Sequence, residues 1–385
     1  MTTSTPAPIT IDLHGPGELL AATPHLLGFS PRDSVLLIGH GGDRDRVGSV
    51  LRADLPPLGD EAGLAASLRL PLLRGGASAV TVAVVGHHPG ERANGPPHRA
   101  LVDELANLFA TAEVPVRHSV WAPEIVRGAR WSCYDDVDCR GEIPDPGSSP
   151  LAAATAHAGL VTYPSRHDMV SALLEEASPE VLQRRSELLD ARVDELAGVE
   201  REDAVAEGFL VVRSAVERSA RGELSFTDRQ VVDMAMALAM APVRDAALAI
   251  AIPSGSALAR AAEQVWFALL RETPIPERAQ AASLLAYSAY VRGEGPLAGM
   301  ATAIAREADP GHVLAGLLEQ ALGHAMPPQR MMRLARACDG SPLGGSPPSQ
   351  AGMDHPAAQH DQGAADRDPP EPDAVRRDPP ERGPG

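Results

Sequence analysis

The chain has 385 residues and a formal net charge of −17, and its only basic side chains besides histidine are arginines, because lysine is absent. An acidic chain without clustered arginines lacks the cationic surface that nucleic acids and anionic membranes attract, so we expect neither as a partner. With 44% apolar residues, the chain is long enough to fold into roughly one to three globular domains.

The three cysteines, at positions 133, 139 and 338, are too few for the disulfide framework of a secreted protein. Residues 1–12 contain neither a basic residue nor an apolar segment, so no signal peptide is predicted. The mainly apolar segment 231–252 is interrupted by charges and is not predicted to span a membrane. We therefore expect a cytoplasmic protein, and its lysine-free composition is typical of high-GC actinobacteria.

Residues 11–150 are predicted to form an α/β domain with a mixed sheet. Short apolar or β-branched segments predict strands over residues 35–39, 47–54, 79–85, 114–121 and 130–134. The glycines of Gly39–Asp43 favour a hairpin turn between the first two strands. Leucine spacing predicts helices over residues 64–73 and 98–111. Because residues 79–85 are almost wholly apolar, we expect them to form a central strand covered on both faces.

Pro24–Phe29 is predicted to be a packed turn before the first strand. Gly28 is expected to adopt a backbone conformation that other residues avoid. His25 lies in the same segment, and a structural role is the interpretation that the sequence favours for it.

Residues 151–339 are predicted to form an all-α domain. Helix starts are indicated by Ser165, by Ser178 before a proline, and by Thr227. Further helices are predicted over residues 256–272, 276–292, 294–307, 309–324 and 328–337. The small residues that recur over 281–323 predict tetratricopeptide-like helical hairpins. Because grooves between such helices bind partners, the candidate partner is another protein, bound through this helical half. The sequence gives no indication of oligomeric state.

Both ends of the chain are predicted to lack stable structure. Residues 1–10 are rich in threonine and proline and are expected to be flexible. After Gly340 large apolar side chains nearly disappear, and the sequence of Arg367–Glu371 recurs at Arg377–Glu381. Such a composition buries too little apolar surface to offset the entropy lost on folding. We expect residues 340–385 to form a disordered tail rich in proline and aspartate.

The segment Gly128–Cys139 concentrates residue types that are rare elsewhere in the chain. It contains one of three tryptophans, one of four tyrosines and two of three cysteines, together with three aspartates. If the chain has a chemical site, this segment is the first place to expect it.

Cys133 and Cys139 are weak candidates for metal ligands. Five residues separate them, whereas cysteines in structural zinc sites are commonly about two to four residues apart. Asp135, Asp138 or His118 would complete a ligand set only if the fold brought them together. A redox pair or local disulfide is an alternative, and a purely structural role for both cysteines is the interpretation that the sequence favours.

Several segments together resemble a known family. They are Pro24–Pro31, Leu51–Pro56, Gly128–Cys139, Tyr163–Arg166, Arg292–Gly295, Asp309–Pro310 and Pro327–Pro328. Over residues 10–335 their order and spacing resemble the actinobacterial DUF4192 family, a domain of unknown function. The resemblance implies no catalytic residues, since no activity is established for the family.

The chain departs from that family's cysteine pattern. The pattern has a first cysteine, later an adjacent cysteine pair, and then a proline. Cys133 matches the first cysteine. Asp138 and Cys139 stand at the pair, and Arg140 and Gly141 replace the proline. One thiol of the family pattern is therefore missing here.

The candidate residues for binding a small polar ligand are Arg52, Asp54, Arg130, Cys133 and Asp135. Arg52 and Asp54 alternate on one predicted strand and therefore share a face, where a structural pair is the alternative. A nucleophilic Cys133 would need a base and positive surroundings, which Asp135 opposes.

No cofactor is predicted, because Gly39–Asp43 has neither the Walker nor the dinucleotide-binding spacing. The absence of a complete catalytic motif favours a non-catalytic protein-interaction or regulatory module. One alternative is an enzyme or small-ligand-binding protein with a pocket near Arg130 and Cys133. A metal-binding protein is the second.

Overall fold

A computed structural model describes residues 13–41, 46–87, 95–157 and 160–337. The predicted flexible N-terminus (1–10) and tail (340–385) lie outside the described residues, as does Cys338. Strands in the described part form a sheet in the order β2-β1-β3-β4-β5-β6. They are β1 Ser34–Gly41, β2 Arg46–Asp54, β3 Ala79–Val85, β4 Val116–Ala122, β5 Arg130–Cys133 and β6 Arg140–Glu142. Since β3 and β4 are parallel and the other neighbours antiparallel, the predicted mixed sheet is confirmed.

β1 and β3 are interior strands of the sheet, and their buried runs Val35–Ile38 and Ala79–Val85 are mostly apolar. All seven residues of β3 are buried, which confirms the predicted central strand. β1 pairs antiparallel with β2, with Ser34 opposite Asp54, and with β3 on its other side. The predicted hairpin is therefore confirmed, although residues 42–45 of its turn lie outside the described residues.

Apolar side chains leave both faces of the sheet, because successive residues of a strand point in opposite directions. On one face, Val35 and Val82 pack in a core with α2 (Glu61–Arg74) and α3 (Arg99–Ala110). On the other, Leu36 packs in a core that includes residues of α1 (Pro16–Leu27). Burial on both faces explains why the central strands read as continuous apolar runs.

The predicted turn at Pro24–Phe29 is wrong in one respect. Residues 24–27 are the last turn of α1, which ends at Gly28 with a φ of 78°. This left-handed conformation is the one expected for Gly28. Nδ1 of His25 lies 3.0 Å from Oγ1 of Thr162, and Nε2 lies 2.9 Å from the carbonyl oxygen of Pro146. His25 thus ties α1 to two later segments of the chain.

The C-terminal half is helical, as predicted. Its helices are α4 Pro150–His157, α5 Arg166–Leu174, α6 Pro179–Leu196, α7 Arg201–Ala220, α8 Asp228–Ala239, α9 Ala241–Ile250, α10 Ala257–Glu272, α11 Arg278–Arg292, α12 Gly295–Ala308, α13 Val313–Gly323 and α14 Pro328–Ala337. The predicted starts are confirmed, since Ser165 caps α5, Ser178 caps α6 and Thr227 forms a capping box at α8. The tetratricopeptide-like character of α11 and α12 stays a prediction.

Two buried arginines hold the carboxyl end of α10, where backbone carbonyls have no partner within the helix. Nη1 of Arg185 donates to the carbonyl oxygen of Glu272 at 2.6 Å, and Nε of Arg278 donates to that of Thr273 at 3.1 Å. Both guanidinium groups also bond carboxylates, so their charge is compensated. These arginines therefore have a structural role.

A second set of charges, which we call the carboxylate–arginine cluster, joins three helical segments. Arg292 at the end of α11 is ion-paired with Glu263 of α10 and, at 2.6 Å, with Glu294 before α12. The Arg292 and Glu263 side chains are only 14% and 19% exposed. Burial and the nearby Glu294 carboxylate raise the pKa of Tyr163 above its ordinary value. The backbone of Tyr163 pairs with that of Phe29, just after α1, and this pairing links the cluster to the end of α1.

The core behind the sheet continues into the helical half. Leu36 and Val120 of the sheet belong to the same buried cluster as Met169, Val212 and Leu285 of the helices. Contacts place the described residues in one compact unit. The division into domains 11–150 and 151–339 stays a prediction. Over the described residues, every helix is too short or too polar to cross a membrane.

Candidate metal centre

β4, β5 and the residue before β6 bring His118, Cys133 and Cys139 onto one face of the sheet. In the β4–β5 register Val120 lies opposite Cys133, and His118 shares the face of Val120 because it is two residues earlier. The backbone N–H of Cys133 donates to the carbonyl oxygen of Cys139 at 2.8 Å, which places the two cysteines opposite each other. One potential ligand therefore comes from β4, one from β5 and one from the residue before β6.

We call these three side chains the thiol–imidazole cluster. One ring nitrogen of His118 and the Sγ atoms of Cys133 and Cys139 all lie within 4.8 Å of one another. His118 is exposed, Cys139 is half-buried and Cys133 is 8% exposed. Neighbouring donors around tetrahedral zinc are roughly 3.3 to 3.8 Å apart, given its usual bond lengths. Side-chain movements of about 1 Å would therefore place all three donors at bonding distance.

The chain between the two cysteines is a tight polar turn. The N–H of Asp138 donates to Oδ1 of Asp136 at 2.9 Å, and the N–H of Cys139 donates to the carbonyl oxygen of Asp136 at 3.2 Å. Short side chains that bond the backbone two residues later favour such turns. The turn reverses the chain, so that the five-residue separation becomes a direct cross-strand contact.

The rare aromatic residues of this segment fix the strands that carry the thiols. Trp131 packs against the core, and its Nε1 would be only 2.8 Å from a Cβ atom at Gly17 and 3.0 Å from one at Gly141. Tyr134 points to the opposite face, where its hydroxyl donates to the carbonyl oxygen of Pro97 at 2.6 Å. Trp131 and Cys133 thus face a core.

The surroundings of Cys133 keep its thiol protonated. Burial, the adjacent Cys139 and the carboxylates of Asp136 and Asp135 raise the pKa of Cys133 to about 12. A catalytic cysteine needs the opposite, a lowered pKa beside a positive group. This environment disfavours nucleophilic catalysis by Cys133 and favours a role in which a cation displaces the thiol protons.

The predicted ligand-binding residues do not converge on one site. Arg52 and Asp54 form a 2.5 Å ion pair on β2, and Nε of Arg52 donates to Oγ of Ser34 at 2.8 Å. β2 and β5 are separated by three strands, which corresponds to roughly 19 Å. Arg130 lies exposed at the start of β5. A ligand role for these residues stays a prediction.

The predicted aspartates also lie outside the cluster. Asp135 is exposed and lies 3.4 Å from Nη2 of Arg99. Asp138 is exposed in the turn. His118, one of the three residues that the sequence offered to complete a ligand set, is the one that the fold supplies.

A polar extension of the cluster was not predicted. Thr81 of β3 lies opposite His118, and its Oγ1 is 2.8 Å from Nε2 of His40 on β1. Burial, with the nearby Arg117 and His118, lowers the pKa of His40. The sequence could not show that His40, Thr81 and His118 are neighbours, because this depends on the register of β1, β3 and β4.

A family model described as a domain of unknown function, DUF4192, matches residues 16–329. The match includes the sheet, the thiol–imidazole cluster and nearly all the helices. The chain belongs to the DUF4192 family. No curated protein and no solved structure matches this DUF4192 chain significantly.

Proposed function

We propose that this DUF4192 protein binds a thiophilic divalent metal ion, zinc, through His118, Cys133 and Cys139. The observation that carries the proposal is the convergence of three ligand atoms within 4.8 Å from three adjacent strand segments. Two thiolates and an imidazole are a donor set that zinc prefers over harder cations such as magnesium or calcium.

The charge around the cluster supports a cation. Asp135, Asp136 and Asp138 are all exposed within the turn between the two cysteines. Their carboxylates disfavour a free thiolate but attract a divalent ion, which lowers the pKa of a coordinating thiol. Metal binding would therefore release the thiol protons, and the charge of the metal ion would offset the charges of the two thiolates and the nearby carboxylates.

Bound metal would stabilise the outer edge of the sheet. β5 has four residues and β6 has three, so few backbone hydrogen bonds hold these strands. A metal ion that links His118 on β4 to both cysteines adds a cross-link where the ladder is shortest. The free energy of metal binding then adds to the folding free energy of this edge.

The test is zinc binding by the reduced, untagged full-length protein. We expect one equivalent of tightly bound zinc in the wild type, and its loss in His118→Ala and Cys139→Ser. Cys338→Ser is the matched cysteine control, and His167→Ala the exposed histidine control, and both should keep the metal. A wild-type protein without stoichiometric zinc, or controls that lose it equally, would refute the proposal.

A cross-strand disulfide is the competing outcome. Directly opposite residues of antiparallel strands have Cα atoms about 4.5 to 5.5 Å apart, within the range that a disulfide tolerates. Mass spectrometry under non-reducing conditions distinguishes the two states. Recovery of a Cys133–Cys139 disulfide that reduction and zinc do not convert to a metal complex would favour the redox interpretation.

A second candidate function is binding of a partner protein by the helical half. The observation that favours it is an open cleft of about 700 Å³ between the α5–α6 junction, the α10–α11 turn and the end of α12. Ile275 is 64% and Leu174 is 45% exposed at this cleft, and Glu176, Arg278 and Glu307 add polar groups. Such a mixture of apolar and charged side chains is typical of non-obligate protein interfaces.

Affinity capture from native lysate tests this second function. We expect Ile275→Asp to lose a partner that the wild type retains. Leu258→Asp, which alters an exposed leucine outside this cleft, should retain it. A wild-type protein that is reproducibly partner-free, or equal loss with both variants, would count against the cleft.

A further inference from the structure

The thiol–imidazole cluster supplies three donors to a metal that prefers four. In the part of the chain that the structure describes, no fourth histidine, cysteine or carboxylate atom joins the set of mutually close ligand atoms. Two carboxylates of the adjacent turn have other partners. Asp135 faces Arg99 at 3.4 Å, and Oδ1 of Asp136 accepts the N–H of Asp138 at 2.9 Å.

Solvent has access to the cluster from one side. Cys133 lies at the core boundary with 8% exposure, whereas His118 is exposed at the sheet face. Structural zinc sites are closed by four protein ligands, while sites with three protein ligands keep one position for water or substrate. With three protein donors and an exposed histidine, the cluster therefore resembles a site that keeps one position for water or substrate.

Polar groups continue from the cluster across the same face. The Thr81 hydroxyl lies on the strand beside His118, and the His40 imidazole lies one strand farther and bonds that hydroxyl at 2.8 Å. Both side chains are buried, at 2% and 8% exposure, so they make this part of the sheet polar without themselves being open to solvent.

The surrounding charge restricts the class of ligand. A zinc ion with two thiolates and a neutral imidazole has no net charge. Exposed groups of both signs surround it, since Asp135 is paired with Arg99, Asp136 and Asp138 lie in the adjacent turn, and Arg117 and Arg140 neighbour His118 and Cys139 in the chain. A neutral metal centre in mixed surroundings therefore gives a multiply charged anion such as phosphate no net attraction. Water, a neutral nitrogen donor or a small monoanion can bind such a centre through the metal–ligand bond itself.

We propose that the metal site keeps one exchangeable position, which takes a small, monodentate, neutral or singly charged ligand from solvent. This inference rests on the proposed zinc site and specifies what that site does. The exchangeable position makes the sheet edge a ligand-binding site in addition to a structural cross-link.

The test uses the full-length protein loaded with cobalt(II), whose absorption bands report its ligands. Imidazole, azide and phosphate are titrated separately. We expect imidazole and azide to shift the ligand-field bands saturably while the thiolate-to-cobalt band persists, and phosphate to leave both bands unchanged. A spectrum that none of the probes alters would mean that a protein group fills the fourth position, and would overturn the inference.

Two further measurements keep the outcomes distinct. If the wild type shows no thiolate-to-cobalt band, the proposed metal site itself is wrong. Asp136→Asn tests whether this carboxylate is the fourth ligand, and the inference expects azide to shift the bands both in this variant and in the wild type. A response that appears only in Asp136→Asn would identify this carboxylate as the fourth ligand and would overturn the exchangeable position. Loss of the thiolate band during titration would show that the probe extracts the metal, and would also count against it.

Discussion

Two polar sets in this protein, the carboxylate–arginine cluster and the thiol–imidazole cluster, differ in how their members are compensated. Arg292 lies between Glu263 and Glu294, so each charge has an opposite partner inside the fold. Cys133 and Cys139 instead lie close to each other and to His118, and burial, the neighbouring thiol and the carboxylates of Asp136 and Asp135 raise the pKa of Cys133.

The difference separates a structural set from a candidate functional one. Charges that are satisfied within the fold fix how helices meet, and removing one partner leaves the other buried without compensation. Donors that converge without compensation still have bonding capacity for something outside the chain. The first cluster should therefore respond to substitution in stability, and the second in ligand binding.

The largest expected effect is on the carboxylate–arginine cluster. Arg292→Ala should lower the free energy of unfolding by about 3 to 5 kcal/mol, because Glu263 stays buried without its partner. Asp103→Asn is the matched control, since its ion pair with Arg99 is half exposed. Chemical denaturation checks both, and the control should lose under about 1 kcal/mol. Similar losses in both variants would erase the distinction between the clusters.

The next effect concerns metal affinity. Cys139→Ser should weaken zinc binding by more than about 100-fold, because even residues behind the ligands typically account for roughly 10- to 100-fold. Competition with a chromophoric chelator measures the affinity, and denaturation of the metal-free proteins should show similar stability. Unchanged affinity in this variant would remove Cys139 from the ligand set.

A smaller, pH-dependent effect is expected at the start of α13. Nδ1 of His312 accepts the N–H of Ala315 at 3.2 Å, which requires a neutral ring. Burial, reinforced by Arg244 and Arg306 against the opposing Asp309, lowers the pKa of His312. The unfolded chain therefore binds a proton first, and stability falls as the pH drops below about 6.5.

His312→Asn should keep the cap and remove that part of the pH dependence. Helix caps contribute about 1 kcal/mol, which sets the scale of the expected difference between pH 7 and pH 5. Denaturation at several pH values gives the two curves. Parallel curves for the variant and the wild type would show that this histidine does not titrate with folding.

The smallest effect is expected at the opposite edge of the sheet. Asp54→Asn removes the exposed half of the Arg52–Asp54 pair, whose carboxylate side chain is 81% exposed. Stability should change by under about 1 kcal/mol, and zinc affinity should not change. A marked change in zinc affinity would mean that the two edges communicate, contrary to their separation by three strands.

Much of the fold could be predicted from local patterns. The all-apolar β3, the hairpin of β1 and β2, and the caps at Ser165, Ser178 and Thr227 all appear in the structure where spacing and composition indicated them. These features depend on residues within a few positions of each other, so a linear sequence displays them. α1 and β6 were not predicted, because Pro24 obscured the former and the three residues of β6 show no alternation.

The candidate site divides in the same way. By itself, the sequence determined that Gly128–Cys139 concentrates rare chemistry and that Cys133 and Cys139 are too far apart for a compact local zinc motif. Only the tertiary structure decided that a turn brings the thiols together and that His118, fifteen residues before Cys133, joins them. The physical reason is that sheet register, set by burial over β1 to β5, determines which distant side chains share a face.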